Sequence, residues 1–512
     1  MFRVSSATII GIDAYEIDVE VDVSQGYFNF NIVGLPDAAV RESRDRIVTA
    51  MRNCGHYLPP GVVTVNLAPA DLRKEGTAFD LPIALGILGA VGEIGNTDVG
   101  NYMILGELSL NGAIRPVKGV INAAIAARDS GKRGILLPRE NAAEAAVVEE
   151  IEVVPVNSLP EAARFLSGEI EIPRFKIELS ELYKGFEEFD DNFSDIRGQA
   201  YAKRAMEVAA AGGHNILMLG PPGSGKTLLA RRLPGIMPRL NLEEAIETTR
   251  VHSVAGLLKM NGSNGLATTR PFRSPHHTIS NAGLVGGGAN PLPGEVSIAH
   301  NGVLFLDELP EFQRNVLEAL RQPLEDGTVT ISRAKMSISY PARFMLVAAM
   351  NPCPCGWHNS DLKECLCTPA QIQRYRTKIS GPLLDRIDIH IEVPSVNFKE
   401  LSSLPTGESS SLIRVRIEQA RRMQNRRLAG TPIYVNARMT PRMVDKFCAI
   451  DDVCRKLLET AMERFGFTAR AYHRILKVAR TVADLEGSTE IKVNHISEAI
   501  QYRTLDRSEW GY

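Results

Sequence analysis

Eight residues carry the clearest chemistry in this 512-residue sequence: Gly220, Pro221, Pro222, Gly223, Ser224, Gly225, Lys226 and Thr227. They fit G-x-x-x-x-G-K-[ST] at every fixed position. Glycines let the backbone curl until its N–H groups converge on one anion, and a helix N-terminus adds its dipole. Lys226 is then placed to meet the β- and γ-phosphates of a nucleoside triphosphate, ATP being the expected one. The Thr227 hydroxyl is placed to ligate Mg²⁺. The flanks agree: His214 to Leu219 reads as a short buried strand, and Lys226 to Leu233 as a helix that Pro234 stops.

Hydrolysis needs more than a cradle. Leu304-Phe305-Leu306-Asp307-Glu308 is an apolar strand ending in two carboxylates. Asp307 could hold Mg²⁺ through water, and Glu308 could polarise the attacking water. Phe344 to Met350 reads as a second strand, ending in Asn351. Asn351 is a candidate orienter of the water or γ-phosphate, with a plain Asn-Pro turn as the alternative. Gly381 to Asp388 puts Arg386 at a helix-to-strand corner, from which it could reach a phosphate bound by an adjacent subunit.

Other clusters invite different chemistry. Four of the seven cysteines, Cys353, Cys355, Cys365 and Cys367, crowd into one short stretch. Four thiolates in tetrahedral array close a structural zinc site, with His358 as a reserve ligand. C-x-C is tighter than the usual spacing, and buried or redox-labile thiols are the alternative. Thr328 to Tyr340 has two alternating segments about a basic tip, the pattern of a β-hairpin. Arg333 and Lys335 are its candidates for contacts to DNA phosphates, against an ordinary exposed turn. Arg270, Arg273, His276 and His277 could line a pore or a subunit boundary, and Gly283 to Gly288 suggests a mobile loop. No carboxylate stands at metalloprotease spacing from the two histidines, which argues against hydrolytic zinc.

The whole chain must position these residues. With 44% hydrophobic and 23% charged residues it is an ordinary globular composition, long enough for several domains. A net charge of -2 excludes a uniformly basic nucleic-acid binder, so any such contact must be local. No apolar run is long enough for a bilayer and the first residues lack a signal core, so no membrane and a cytoplasmic location are expected. Ile17, Val19, Val21 and Val23 alternate with acids, Val62 to Leu67 is another strand candidate, and an apolar helix starts near Leu81. Phe186, Phe189 and Phe193 interleave with Glu187, Glu188, Asp190, Asp191 and Asp195, which reads as a linker. From Leu412 helical spacing dominates, as around Leu457-Leu458, Ile475-Leu476 and Val482. Arg421-Arg422 and Arg426-Arg427 read there as a solvated face rather than a DNA-facing strip. The expected division is an α/β domain over 1–168, a linker over 169–195, an ATPase core with inserts over 196–405, and a helical lid over 406–512 that frays beyond Leu505.

Two N-terminal segments, Asp71 to Pro82 and Gly106 to Asn141, resemble the proteolytic domain of Lon-type proteases, an S5-like α/β fold. That family's nucleophilic serine falls on Ala78, and its lysine on Ile121 or, displaced, on Lys118. No dyad can form from those residues, and Thr77 is the nearest hydroxyl. The expectation is a Lon-like domain lacking the peptidase dyad. The phosphate loop, the acid pair, Asn351 and Arg386, in that order, resemble the AAA+ P-loop ATPases. The strings Arg270 to Ser280, Asn351-Pro352-Cys353-Pro354-Cys355-Gly356 and Gln371 to Arg376 narrow the resemblance to the magnesium-chelatase-like ComM/YifB family, over nearly the whole chain.

That resemblance implies a homohexameric, ATP- and Mg²⁺-dependent DNA helicase. Such a motor promotes branch migration of recombination intermediates during natural competence, on single-stranded or branched DNA and alongside recombination proteins. It implies Arg386 as the arginine finger and Arg470 as a second sensor arginine near the nucleotide. Two other readings stay open: an ATPase that remodels a protein or metal-insertion complex, and a scaffold whose Lon-like domain recognises a partner.

Overall fold

The computed structural model describes residues 1–58, 60–95, 99–178, 192–258, 265–288, 291–333, 336–359, 363–395, 407–431, 433–503 and 505. Two compact units emerge. One gathers 1–186, 241–268 and 332–340, and the other 187–240, 269–331 and 341–512.

The first unit is built on a seven-stranded sheet. Its strands are β1 (Phe2–Ile10), β2 (Asp13–Ser24), β3 (Asn29–Val33), β4 (Val62–Ala68), β5 (Tyr102–Ile104), β6 (Gly134–Pro138) and β7 (Glu152–Val156), in the order β3-β4-β2-β1-β5-β6-β7. The β1–β2 and β2–β4 pairs are antiparallel and the others parallel. Ile17, Val19 and Val21 point into the core while the acids between them stay half-exposed, as a period-two pattern requires. The helix Asp80–Ala90 is apolar on all sides, and every residue from Asp80 to Leu88 is buried. Its one charge, Asp80, lies in the first turn, where the helix dipole favours an anion. Arg46 clamps it with two hydrogen bonds of 2.9 and 3.0 Å, and the Leu108 amide donates a third at 3.2 Å.

A helix from later in the chain, Leu242–Ala255, completes this unit. It meets the helix Val120–Asp129 through a polar seam. Arg250 Nε donates to Asn122 Oδ1 at 2.8 Å, and Asn122 Nδ2 returns to the Arg250 carbonyl at 3.3 Å. The Ser253 hydroxyl takes the Gly119 amide at 2.8 Å and donates to the buried carboxylate of Glu144. Burial pushes the Glu144 carboxyl up, against the pull of the Ser253, Ile121 and Asn141 donors.

The second unit holds a five-stranded parallel sheet. Its strands are β8 (Ile216–Leu219), β9 (Phe272–Arg273), β10 (Val303–Leu306), β11 (Met345–Met350) and β12 (Ile389–Glu392), in the order β9-β10-β11-β8-β12. β8, β10 and β11 are wholly buried, the continuous apolar runs that a sheet covered on both faces requires. The helices Ser410–Arg427, Pro441–Phe447, Asp452–Phe465, Ala469–Leu485 and Val493–Gln501 share one apolar core with it.

Several expectations need correcting. The helix after the phosphate loop runs from Lys226 to Ile236 with Pro234 inside it. Only two residues follow the proline, so the missing amide removes a single bond at an end that was about to finish. The glycine-rich run carries regular structure: Asn281–Val285 is a short helix, and Gly286–Gly287 pairs with Leu292–Pro293. The paired arginines are not a uniformly solvated face. Arg422 and Arg426 are exposed, but Arg421 donates to the Ala210 carbonyl at 3.1 Å and Arg427 to the buried Asp484 at 3.0 Å. In the expected linker, Phe186, Glu187, Glu188, Phe189, Asp190 and Asp191 lie outside the described residues, as does the expected frayed end after 505. Phe193 is fully buried in the second core, and Asp195 pairs with Arg232 at 3.1 Å.

Candidate nucleotide site

The C-terminal ends of three neighbouring strands converge on one place. β8 runs into the phosphate loop, where Gly223 (φ 78°) and Gly225 (φ 90°) take left-handed conformations that let successive amides face inward. Lys226 opens the following helix, and its buried ammonium donates to the carbonyls of Gly220 at 2.7 Å and Pro221 at 2.8 Å. It also reaches Asn351 Oδ1 at 3.3 Å, so the tip of β11 and the loop share one cation. Burial pushes the Lys226 ammonium down to about 8, with Asp307 pulling the other way.

β10 delivers the carboxylates. Asp307 Oδ2 accepts the Thr227 hydroxyl at 2.7 Å, which brings together two hard oxygens of the kind Mg²⁺ binds. Glu308 follows in a left-handed conformation (φ 52°) that is costly for a residue with a side chain, and such strain concentrates at functional sites. Its carboxylate lies 3.4 Å from His277 Nδ1. His277 thus lies beside this site. The arginines of the same string are tied internally: Arg273 clamps Glu295 at 2.6 and 2.8 Å, and Arg270 donates to the carbonyls of Pro238 and Asn301, each at 2.6 Å.

Two side chains that tie the loops and strands of this sheet together escaped the sequence reading. Gln199, also left-handed (φ 58°), donates from Nε2 to the Ser224 carbonyl at 3.0 Å and the Pro394 carbonyl at 2.8 Å. Its Oε1 is buried with no hydrogen-bond partner among the described residues, so it can accept a ligand's donor. Asn215 gathers the opposite ends of three strands. Its Oδ1 accepts the Leu346 amide at 2.8 Å, its Nδ2 donates to the Arg386 carbonyl at 2.9 Å, and its carbonyl accepts the Asp388 amide at 3.0 Å. Only the positive φ of Gln199 distinguishes it, and nothing in a sequence displays that angle.

Arg386 therefore stands at the N-terminal end of β8, the edge away from the phosphate loop, about 10 Å of strand distant. One terminal nitrogen donates to the Pro382 carbonyl at 2.6 Å, another engages Glu325, and Nε is buried without a partner among the described residues. Arg470 is mostly exposed beside Asp385, 3.8 Å away, and lines the same small cleft as Arg386 and Arg474. Within one chain Arg470 therefore accompanies Arg386, not Lys226.

The hairpin candidates divide. Thr328–Arg333 and Met336–Pro341 form a two-stranded sheet, as expected. Lys335 lies outside the described residues, and of Arg333 only the backbone, in the first strand, is described. Ile338 of the second strand rests against Gly11. In the first unit the Thr77 hydroxyl donates to Glu107, Ala78 is half-buried, Lys118 is exposed and Ile121 is buried. The four cysteine sulfurs lie within 4.8 Å of one another.

Three family profiles tile the chain: "Subunit ChlI of Mg-chelatase" over residues 19–141, "Magnesium chelatase, subunit ChlI" over 192–401, and "Magnesium chelatase, subunit ChlI C-terminal" over 407–503. The competence protein ComM of Haemophilus influenzae is 44% identical over 506 residues, spanning 98% of this chain and 97% of its own length. The YifB protein of Escherichia coli is 41% identical over 507 residues, with the same two coverages. The chain belongs to the ComM/YifB family of magnesium-chelatase-like AAA+ proteins. A partial match, 26% identity over 156 residues, ties it to Lon protease 2 of Bacillus subtilis, covering 28% of this chain and 27% of that one. The ComM/YifB fold is accordingly a Lon-like α/β domain, an AAA+ core and C-terminal helices. No helix among its described residues is long and apolar enough to cross a membrane.

Proposed function

We propose that this ComM/YifB protein is a cytoplasmic Mg²⁺-dependent ATPase that works as a hexameric ring and moves branched or single-stranded DNA during recombination. The observation that carries the reading is the division of the hydrolytic parts between two edges of one sheet. Lys226, Thr227, Asp307, Glu308 and Asn351 share the C-terminal edge, while Arg386 and Arg470 stand at the other. An arginine so placed can serve a second copy's triphosphate by exchanging Glu325 for phosphate oxygens.

The residues present fit ATP with Mg²⁺: the inward amides, the Thr227–Asp307 oxygen pair and the Gln199 acceptor each match a part of the ligand. Mg²⁺ held by Thr227 and Asp307 would supply charge neutralisation at the phosphates. Lys226 exchanges its loop carbonyls for phosphate oxygens. Glu308 orients and polarises the water, and Asn351 holds the γ-phosphate end through its link to Lys226. Arg386 and Arg470 of a neighbouring copy complete the charge.

The DNA reading draws on the ComM relative, a competence protein by name, and on the basic hairpin carrying Arg333 and Lys335. Recombination proteins are the partners this role implies. The metal-insertion alternative draws on the three chelatase profiles. DNA decides between them. Branch migration of three-stranded substrates is expected from the wild type and not from Lys226→Ala or Glu308→Gln. A wild type that hydrolyses ATP, gains nothing from DNA and moves no junction would turn the reading to protein or metal-complex remodelling.

A further inference from the structure

The loop after Asn351 closes on itself through four thiols. Cys353 Sγ lies 3.3 Å from Cys355 Sγ and 3.7 Å from Cys365 Sγ, and the Cys355–Cys365 pair is 3.6 Å apart. A tetrahedron of thiolates about one Zn²⁺, with Zn–S near 2.3 Å, has edges of about 3.8 Å. A disulfide would need about 2.05 Å, and a multi-iron cluster would spread the same ligands around a larger cage. The His358 amide donates to Cys353 Sγ at 3.3 Å, and the Trp357 and Leu366 amides face Cys355. Backbone donors of this kind stabilise and orient metal-bound thiolates.

The same loop braces the nucleotide site. Gly356 presses on the phosphate loop so closely that a Cβ there would come within 2.6 Å of Pro222 Cδ. Beyond the last cysteine, the helix Pro369–Arg376 returns to the start: Arg376 Nε donates to the Pro352 carbonyl at 3.1 Å, and the Tyr375 hydroxyl meets the Asn351 amide. We propose that Cys353, Cys355, Cys365 and Cys367 bind one Zn²⁺, and that this ion locks the loop which holds Asn351 and Pro222 in hydrolytic register. The lock rests on the ATPase reading of the nucleotide site, not on DNA as its cargo.

The test uses the full chain purified without chelator. Elemental analysis is expected to find one zinc and no iron per chain, and Co²⁺ exchange to give the visible bands of a tetrahedral tetrathiolate. Stripping the metal with a thiol-directed mercurial and chelator, then reducing the thiols, should lower DNA-free ATPase kcat by about tenfold or more. Affinity for a fluorescent ATP analogue should stay within about threefold, and added Zn²⁺ should restore the rate. Cys365→Ser should lose zinc and follow the stripped protein, and should it fail to fold, the strip-and-reload cycle on wild type carries the test. No zinc after purification and none taken up would overturn the metal site. Zinc present with an unchanged rate after removal would overturn the lock. Neither result touches branch migration, and a protein that moves no DNA leaves both measurements standing.

Discussion

Lys226 is a buried cation whose hydrogen bonds go to carbonyls, the Ser224 hydroxyl and an amide oxygen, and its ammonium is pushed down to about 8. Phosphate oxygens should raise it again, so ATP binding takes up a proton when the pH exceeds that value. At pH 8.5 the expected uptake is about 0.7 proton per site, falling to about 0.1 at pH 7. Calorimetry in buffers of differing ionisation enthalpy measures it, and Lys226→Ala should abolish it. Glu308 and His277 offer a second residue-scale outcome. With the imidazole 3.4 Å from an otherwise largely exposed carboxylate, His277→Ala should lower kcat by about 3- to 10-fold and leave KM for ATP nearly unchanged. The eight-residue loop, Asp307, Glu308 and Asn351 were legible because each is a residue type fixed by chemistry at the end of an apolar run. His277, Gln199 and Asn215 were not, since what brings them into play is a fold contact or a backbone angle rather than a spacing.

Among elements, the start of β8 is bound to the C-terminal helices through a buried polar knot. His214 meets Asp388 at 3.2 Å and Thr481 at 2.8 Å, and Arg474 pairs with the other oxygen of Asp388. Burial pushes the Asp388 carboxyl up, but Arg474 and the His214 hydrogen bond outweigh it and hold it well below the usual carboxylate range. A depressed folded value means that the unfolded chain takes the proton more readily. The knot's contribution is therefore present at neutral pH and is lost as pH falls below roughly 4. Asp388→Asn should cost about 3–5 kcal/mol at pH 7 and flatten that acid dependence, as read by denaturant melts across pH. β2, β4, β8, β10 and β11 were legible from period-two alternation or continuous apolar runs, whereas β9, only two residues long, was not. Helix ends were less so: Pro234 looked like a stop, yet its cost is small where the helix ends within two residues. The role of Arg421 and Arg427 was hidden because charge on a helix reads as solvated until its partners, a carbonyl and a buried aspartate from distant sequence, are in place.

At the scale of the molecule, the chain does not finish one unit before starting the next. Residues 241–268 and 332–340 leave the ATPase sequence to complete the Lon-like unit. No local pattern announces this, because the seam consists of single polar groups such as Ser253, Asn122 and Glu144. Ser253→Ala leaves the Glu144 carboxylate short of a donor inside the seam and should destabilise by about 1–3 kcal/mol, seen as a lower Tm. A chain ended at 186 should fare worse, since it exposes the whole seam.

On the proposed reading, the placement of Arg386 on the sheet edge opposite Lys226 would make each chain half of two catalysts rather than one whole one. Two dead proteins can then make a living one. Lys226→Ala retains a good arginine and Arg386→Ala retains a good phosphate loop, so a random equal mixture should hold about a quarter of its interfaces intact. Activity rising on mixing, from two preparations that each have none, is the signature of a site that belongs to the assembly.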